Sequence, residues 1–233
     1  MEFDFKIIEE SLKKAWQAFV DNIIAYIVAA IIFIIVASVA SQFITGVALI
    51  WAVLSLSLSF AASAIYGLVL AIIGIVGLII LPPVAYGLYY MSLKGLRGEK
   101  VDIKDIMYGL NAKTIVRSWI YFIVLYAIMF VFAIISAILG FIPFLGGLIA
   151  LILMIIVYTF LFFSLYIYVM TPNENVVYAL KEGVEIAKKN FLMTFVAMIL
   201  SGILCILIVT IPLGLAFGGE ILKKIVPTLK DDS

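Results

Sequence analysis

Reactive chemistry has little to work with in this chain. Histidine is absent, and the one cysteine, Cys205, sits inside an apolar run. Without imidazole the usual general base and the commonest metal ligand are missing, and a thiol among apolar neighbours behaves as a small hydrophobe. Acids and bases do pair at helical spacing: Glu9 with Lys13, Glu10 with Lys14, Glu185 with Lys189. Neighbours at i,i+4 are helix-face pairs worth a few tenths of a kcal/mol. There is no HExxH, no CxxC and no phosphate-cradling Gly-Lys-Ser loop. The sequence therefore predicts a non-enzymatic protein with no cofactor and no metal. A net charge of +1 gives no footing for nucleic acid.

The charged residues are informative through where they are absent. Residues 22–93, 118–173 and 190–219 contain no Asp, Glu, Lys or Arg. All ionisable acids and bases fall in clusters at 2–21, 94–117, 174–189 and 220–232. A charge at the centre of a bilayer costs about 2.5–3.5 kcal/mol on insertion scales. A hydrophobic fraction of 67% and a mean hydropathy of +1.31 point the same way. The fold class expected is an all-α, polytopic transmembrane helical bundle of about five spans, forming one membrane domain over 1–233.

A crossing needs about 20 apolar residues. Spans are predicted at about 23–43, 66–93, 118–139, 148–170 and 191–211. Thr45-Gly46 is expected to close the first. Residues 47–65 read as an extra apolar helix or an additional span. Gly140, Pro143, Gly146 and Gly147 mark a tight hairpin, and Pro212-Leu213-Gly214 ends the last span. Residues 212–222 are too few to cross. The opening segment reads as an amphipathic helix rather than a cleavable signal.

Ile8–Asn22 and Val176–Asn190 are two versions of one pattern. Each is amphipathic, each carries lysines and carboxylates opposite an apolar stripe, and each ends at Asn before a span. In the first the stripe is Phe5, Ile8, Leu12, Ala15, Trp16 and Phe19; in the second it is Val176, Val177, Leu180, Val184 and Ala187. Val101–Lys113 is a weaker third instance. Interfacial helices are thus expected at about 5–19, 101–113 and 176–190, each opening a unit of helix, span and return span, the last unit stopping short. Similar units enter from the same face, and Lys and Arg collect on the cytoplasmic side. The expectation is a multi-pass protein of the cytoplasmic membrane with its N-terminus and the loops 94–117 and 174–189 cytoplasmic. Trp16, Tyr86, Tyr89, Tyr90, Trp119, Tyr121, Tyr166 and Tyr168 lie near these clusters, as interfacial aromatics do.

Two segments carry a family likeness. They are Asn175–Phe191 (NVVYALKEGVEIAKKNF) and Pro82–Gly98 (PPVAYGLYYMSLKGLRG). In them the chain resembles a broad prokaryotic family of multi-span proteins related to the membrane domain of some glycerophosphodiester phosphodiesterases. That resemblance implies six spans, one more than expected here. It implies no activity, and the hydrolase domain is absent.

Two sets of residues are candidates for function. Ser55, Ser59 and Ser63 form a small, polar-edged helical face, which Gly67 and Gly74 continue. Such a face suits close helix packing, an oligomer seam or the lining of a narrow neutral path. Pro82-Pro83 suits a static kink, a hinge or a partly unwound ligand site. Lys13, Lys14, Lys94, Arg97, Arg117, Lys188 and Lys189 are placed to meet anionic lipid headgroups. The function expected is a self-associating or lipid-interacting scaffold whose partners are membrane lipids and a second copy. The alternatives are a channel or uncoupled carrier for a small neutral or amphiphilic solute, and a membrane subunit of a larger complex.

Overall fold

The computed structural model describes residues 4–55, 61–142, 145–206 and 211–227. Among these the chain is helical throughout, with no strand. The helices are α1 (Phe5–Asp21), α2 (Ile23–Ser55), α3 (Ala61–Leu96), a 3-10 helix (Ile103–Leu110), α4 (Ala112–Leu139), α5 (Leu145–Leu161), α6 (Ser164–Met170), α7 (Val176–Lys189), α8 (Phe191–Ile206) and α9 (Ile211–Ile225). Four are long and apolar enough to cross a membrane: α2, α3, α4, and α5 continued by α6. A fifth is present if α7 and α8, bent by 109° at Asn190, count as one. The chain is a helical membrane bundle.

The first hairpin departs from the predicted span ends. Thr45-Gly46 does not stop α2, which runs through to Ser55. Residues 47–55 therefore continue α2 and residues 61–65 open α3, while 56–60 lie outside the described residues. In apolar surroundings a broken helix would strand backbone donors and acceptors, so the glycine stays helical and serves packing instead. Tyr26 lies level with Met91, to whose carbonyl its hydroxyl donates (3.2 Å). Ala40 then lies against Gly77, Phe43 against Gly74, Ile50 against Gly67. The two helices keep this antiparallel register over their described length.

Burial divides the molecule into a packed base and two arms. Residues 82–88 of α3 are buried without a break, whereas Ile65, Leu68, Val69, Ile72, Ile75, Val76 and Ile79 are exposed. All of α6 is buried, as is α9 from Pro212 to Leu222 except the half-buried Leu215. By contrast, none of the most apolar stretch of α4 is buried within the chain. The base thus comprises the C-terminal part of α3, the 3-10 helix, α6, and α9 with α1 and α7 around them. The arms are the outer parts of the α2–α3 and α4–α5 hairpins. From Ala61 to Pro82, α3 measures about 33 Å at 1.5 Å per residue, close to the thickness of a hydrocarbon core.

The repeated pattern has a local structural counterpart. Asn22 and Asn190 both cap the end of their helix, with φ/ψ of −125°/24° and −132°/42°. Each side-chain amide donates to the carbonyl four residues back, Ala18 and Ile186. The third instance differs. Residues 103–110 form a 3-10 helix and α4 begins at Ala112. Asp102 and Asp105 close a reciprocal capping box at its start. Three residues per turn put Ile106 and Gly109 on one edge, and these two are buried. Met107, assigned by a 3.6 period to the apolar face, is 55% exposed.

The apolar stripes of α1 and α7 are also turned from their expected facing. α1 buries Ser11, Ala15, Ala18 and Phe19 in the base and leaves Phe5, Leu12, Trp16 and Val20 exposed. α7 buries Val176, Ala179, Gly183, Ile186 and Ala187, with Val177 outside. Gly183 is the contact point: a Cβ there would stand 3.1 Å from the Ser164 backbone of α6. The predicted span 148–170 is broken after Leu161, and α6 resumes at Ser164. The predicted span 191–211 corresponds to α8, described over Phe191–Ile206, and residues 207–210 lie outside the described residues. α9 then folds back on it: Gly214 meets the Ser201 carbonyl and the Cys205 sulfur.

Candidate functional site

The base holds several of its cations in internal contacts. Arg117, at the start of α4, reaches the end of α6. One guanidinium nitrogen donates to the carbonyls of Pro172 (2.6 Å) and Glu174 (2.8 Å), the other to those of Tyr168 (2.9 Å) and Thr171 (3.1 Å). A helix end leaves four carbonyls without intrahelical donors, and a cation there also meets the negative end of the helix dipole. The guanidinium lies 4.1 Å from the centre of the Tyr168 ring, a cation–π contact. These contacts join α4 to α6.

The remaining candidates divide in the same way. Lys94 forks onto both carboxylate oxygens of Asp105, at 2.9 and 2.8 Å. Arg97 lies 3.6 Å from Glu99. Lys13 pairs with Glu9 at 2.6 Å, as its spacing suggests. Glu10 and Lys14 do not pair with each other. Lys14 meets Glu220 of α9 at 2.9 Å, and Glu10 meets Lys224 at 2.6 Å. These two pairs clasp α1 to α9, and Glu220 is only 5% exposed at its side chain. Lys188 and Lys189, in contrast, are exposed. Among the described residues Lys100, Lys104, Lys113, Lys181, Lys188 and Lys189 have no ion pair.

The clasp has a pH signature. The hydrogen bond from Lys224, reinforced by its charge, holds the Glu10 carboxyl below the ordinary carboxylate value of 4.5. Its contribution is complete above the ordinary value and is lost as pH falls through the lowered one. Hydrogen-exchange protection of α1 should therefore be flat from neutral pH to about 5 and fall below about 4. Lys224→Gln should weaken that transition and leave the part due to Glu9, whose carboxyl Lys13 lowers in the same way.

The described part of the small-residue face, Gly67 and Gly74, is consumed within the chain. A Cβ on Gly74 would overlap the backbone of Phe43, and one on Gly67 would stand 3.0 Å from the Gly46 carbonyl. Gly67 and Gly74 therefore pack on α2, and line neither an oligomer seam nor a path. Ser59 lies outside the described residues, as do the side chains of Ser55 and Ser63. Pro82 and Pro83 lie within a continuous α3 and are buried. Their missing N–H groups leave the Leu78 and Ile79 carbonyls without helical donors. The 3-10 helix presses on this stretch: Gly109 abuts the Pro83 carbonyl and Gly87 the Ile106 carbonyl. An added methyl at either glycine would strike backbone.

Where the base meets the arms there is a cavity of about 580 Å³, walled by α2, α3, α4, α5 with its continuation α6, and α8 through residues including Phe33, Tyr89, Tyr121, Leu125, Tyr158 and Met198. No charged side chain lines it. The Tyr121 hydroxyl bonds to Ser164 Oγ at 2.6 Å. Ser164 in turn donates to the Leu161 carbonyl at 2.5 Å. Tyr89 packs edge-on against Tyr166, with ring centroids 4.7 Å apart. Volumes of 300–1,000 Å³ with few polar groups are typical of small-molecule sites.

No protein-family model, no curated protein and no solved structure matches the chain.

Sequence reasoning missed two parts of this arrangement. α9 was set aside because it is too short to cross. Its signals were Gly214, Gly218 and Gly219 beside Glu220, a carboxylate at the end of an apolar run that calls for a cation. The spacing marks the tyrosines as interfacial, whereas Tyr86, Tyr166 and Tyr168 are buried in the base. Tyr86 stacks with Tyr108 and meets Tyr168 edge-on. Nothing in their spacing distinguishes these two uses.

Proposed function

We propose that this is a non-enzymatic, lipid-interacting protein of the cytoplasmic membrane, its arms in the bilayer and its base at the cytoplasmic headgroup layer. The observation that carries this reading is the division among the cations. Lys14, Lys94, Arg117 and Lys224 are engaged inside the base, while six lysines on α7 and around the 3-10 helix are exposed and unpaired. A juxtamembrane lysine gains about 1 kcal/mol from an anionic surface. The exposed stripe of Phe5, Leu12, Trp16 and Val20 on α1 suits the acyl–headgroup boundary. The family likeness of 82–98 and 175–191 belongs to this proposal and adds no activity to it. Self-association through Gly67 and Gly74 does not, because α2 fills that stripe.

The experiment compares the wild type with Lys181→Gln, Lys188→Gln and Lys189→Gln combined. Both are extracted with their surrounding lipid by a membrane-solubilising polymer. Wild-type particles should be enriched in anionic over zwitterionic lipid relative to the parent membrane, roughly twofold or more, and the triple variant should lose most of that enrichment. Equal lipid composition around the two proteins would contradict the reading.

A further inference from the structure

Beyond headgroup contact, we propose that the cavity between the base and the arms is a binding site for the hydrocarbon chain of a membrane lipid, entered sideways from the bilayer. Its chemistry selects the occupant. The wall offers apolar side chains and neutral hydroxyls and no charge. An ion or a strongly polar solute entering it would lose its hydration without compensation. A saturated or isoprenoid chain loses nothing.

Size and position agree. At about 580 Å³ the cavity is roughly four times the 150 Å³ space that takes one benzene ring. That is room for a chain of roughly 20 carbons. Tyr121 lies one helical turn from Arg117, and Tyr89 lies five residues from Lys94. At 1.5 Å per residue both are about 6–8 Å from the charged rim of the base. The cavity thus sits where a lipid's chains begin, below its headgroup. Its rim carries Ile155 and Tyr158, 36% and 49% exposed, on a helix whose outward neighbours Leu151 and Ile152 are equally open. The mouth therefore faces the apolar zone between the hairpins and not water. The Tyr121–Ser164–Leu161 chain of hydrogen bonds spends both hydroxyl protons internally when Tyr121 is the donor.

This proposal does not depend on the exposed lysines. The test uses the full-length protein in lipid nanodiscs with a phospholipid bearing a diazirine in one acyl chain. Cross-linked peptides are mapped by mass spectrometry. The expected result is labelling at 121–125, 155–158 and 198 that saturates as unlabelled lipid competes. Labelling at the outward-facing Phe130 and Val131 should rise in proportion to probe. Leu125→Trp and Ile155→Trp, on different helices, should each cut the saturable labelling roughly tenfold and leave Phe130 unchanged. Labelling of the cavity that never saturates and matches Phe130 would overturn the site, and that arm needs no variant. Rapid modification of Tyr158→Cys, in a Cys205→Ala background, by a membrane-impermeant thiol reagent would also overturn it, because it would make the cavity a watered path. The lysine triple variant should keep the saturable labelling. Its loss of anionic enrichment would therefore be separable from failure of this site.

Discussion

Arg117→Ala should be the most damaging single substitution outside the helix seams, lowering stability by about 4 kcal/mol. One side chain donates to four carbonyls at the end of α6 and stacks on Tyr168. Hydrogen bonds from a charged donor contribute about 1.5–3 kcal/mol each. Water can replace the outermost of them, at Glu174, which is exposed, so the losses do not simply add. For a chain of this size the expected fall in Tm, followed by thermal unfolding in detergent, is about 10 °C. Arg117→Lys should recover less than half of it, since an ammonium cannot fork across the set. A fall below about 2 °C for Arg117→Ala would mean that the base does not hang on this contact. The same experiment separates this role from a headgroup role, because a surface lysine such as Lys188 should change Tm by no more than about 1 °C when neutralised.

Gly74→Leu is expected to be nearly as costly, by about 3 kcal/mol. A Cβ at Gly74 or Gly77 would overlap the backbone of Phe43 or Ala40. Backbone cannot rotate aside as a side chain can, so α2 and α3 must separate along their length, and overpacking of this kind costs about 1–3 kcal/mol or more. The control is Gly202→Ala in α8, where a Cβ meets nothing within 4 Å. There the methyl should stabilise by about 0.5–1 kcal/mol through helix propensity alone. Thermal unfolding of the two variants side by side should shift in opposite directions. If both were neutral, the close approach of α2 and α3 would be wrong.

How far the sequence reveals this molecule varies with the physical cause. The bilayer imposes a strong, simple constraint, so long uncharged runs mark the helices apolar enough to cross, though not where each one ends. The hairpin at Gly140 was legible because turn residues have local requirements. Thr45-Gly46 misled for the converse reason. A glycine that would weaken a helix in water is retained where another helix passes close, and the sequence does not say which helix that is. The capping asparagines, Asn22 and Asn190, could be matched by eye because their work is local. Arg117 could not be placed, since its partners lie more than 50 residues away in sequence. Glu10 and Lys14 looked like one i,i+4 pair, yet each binds α9 instead, and only the fold brings that helix alongside. The cavity follows from five helices meeting below a buried break in the α5–α6 helix. No single segment encodes it.

Everything functional here depends on the base lying at one face of a membrane that the arms cross. Cysteines placed one at a time at Lys100, Lys188 and Phe141, in a Cys205→Ala chain, would be challenged in sealed inside-out and right-side-out vesicles with an impermeant thiol reagent. Phe141, at the far turn of the α4–α5 hairpin, is 87% exposed. The account predicts that positions 100 and 188 react only in inside-out vesicles and position 141 only in right-side-out ones. Reaction of 100 and 188 from opposite faces, or of all three from the same face, would contradict it.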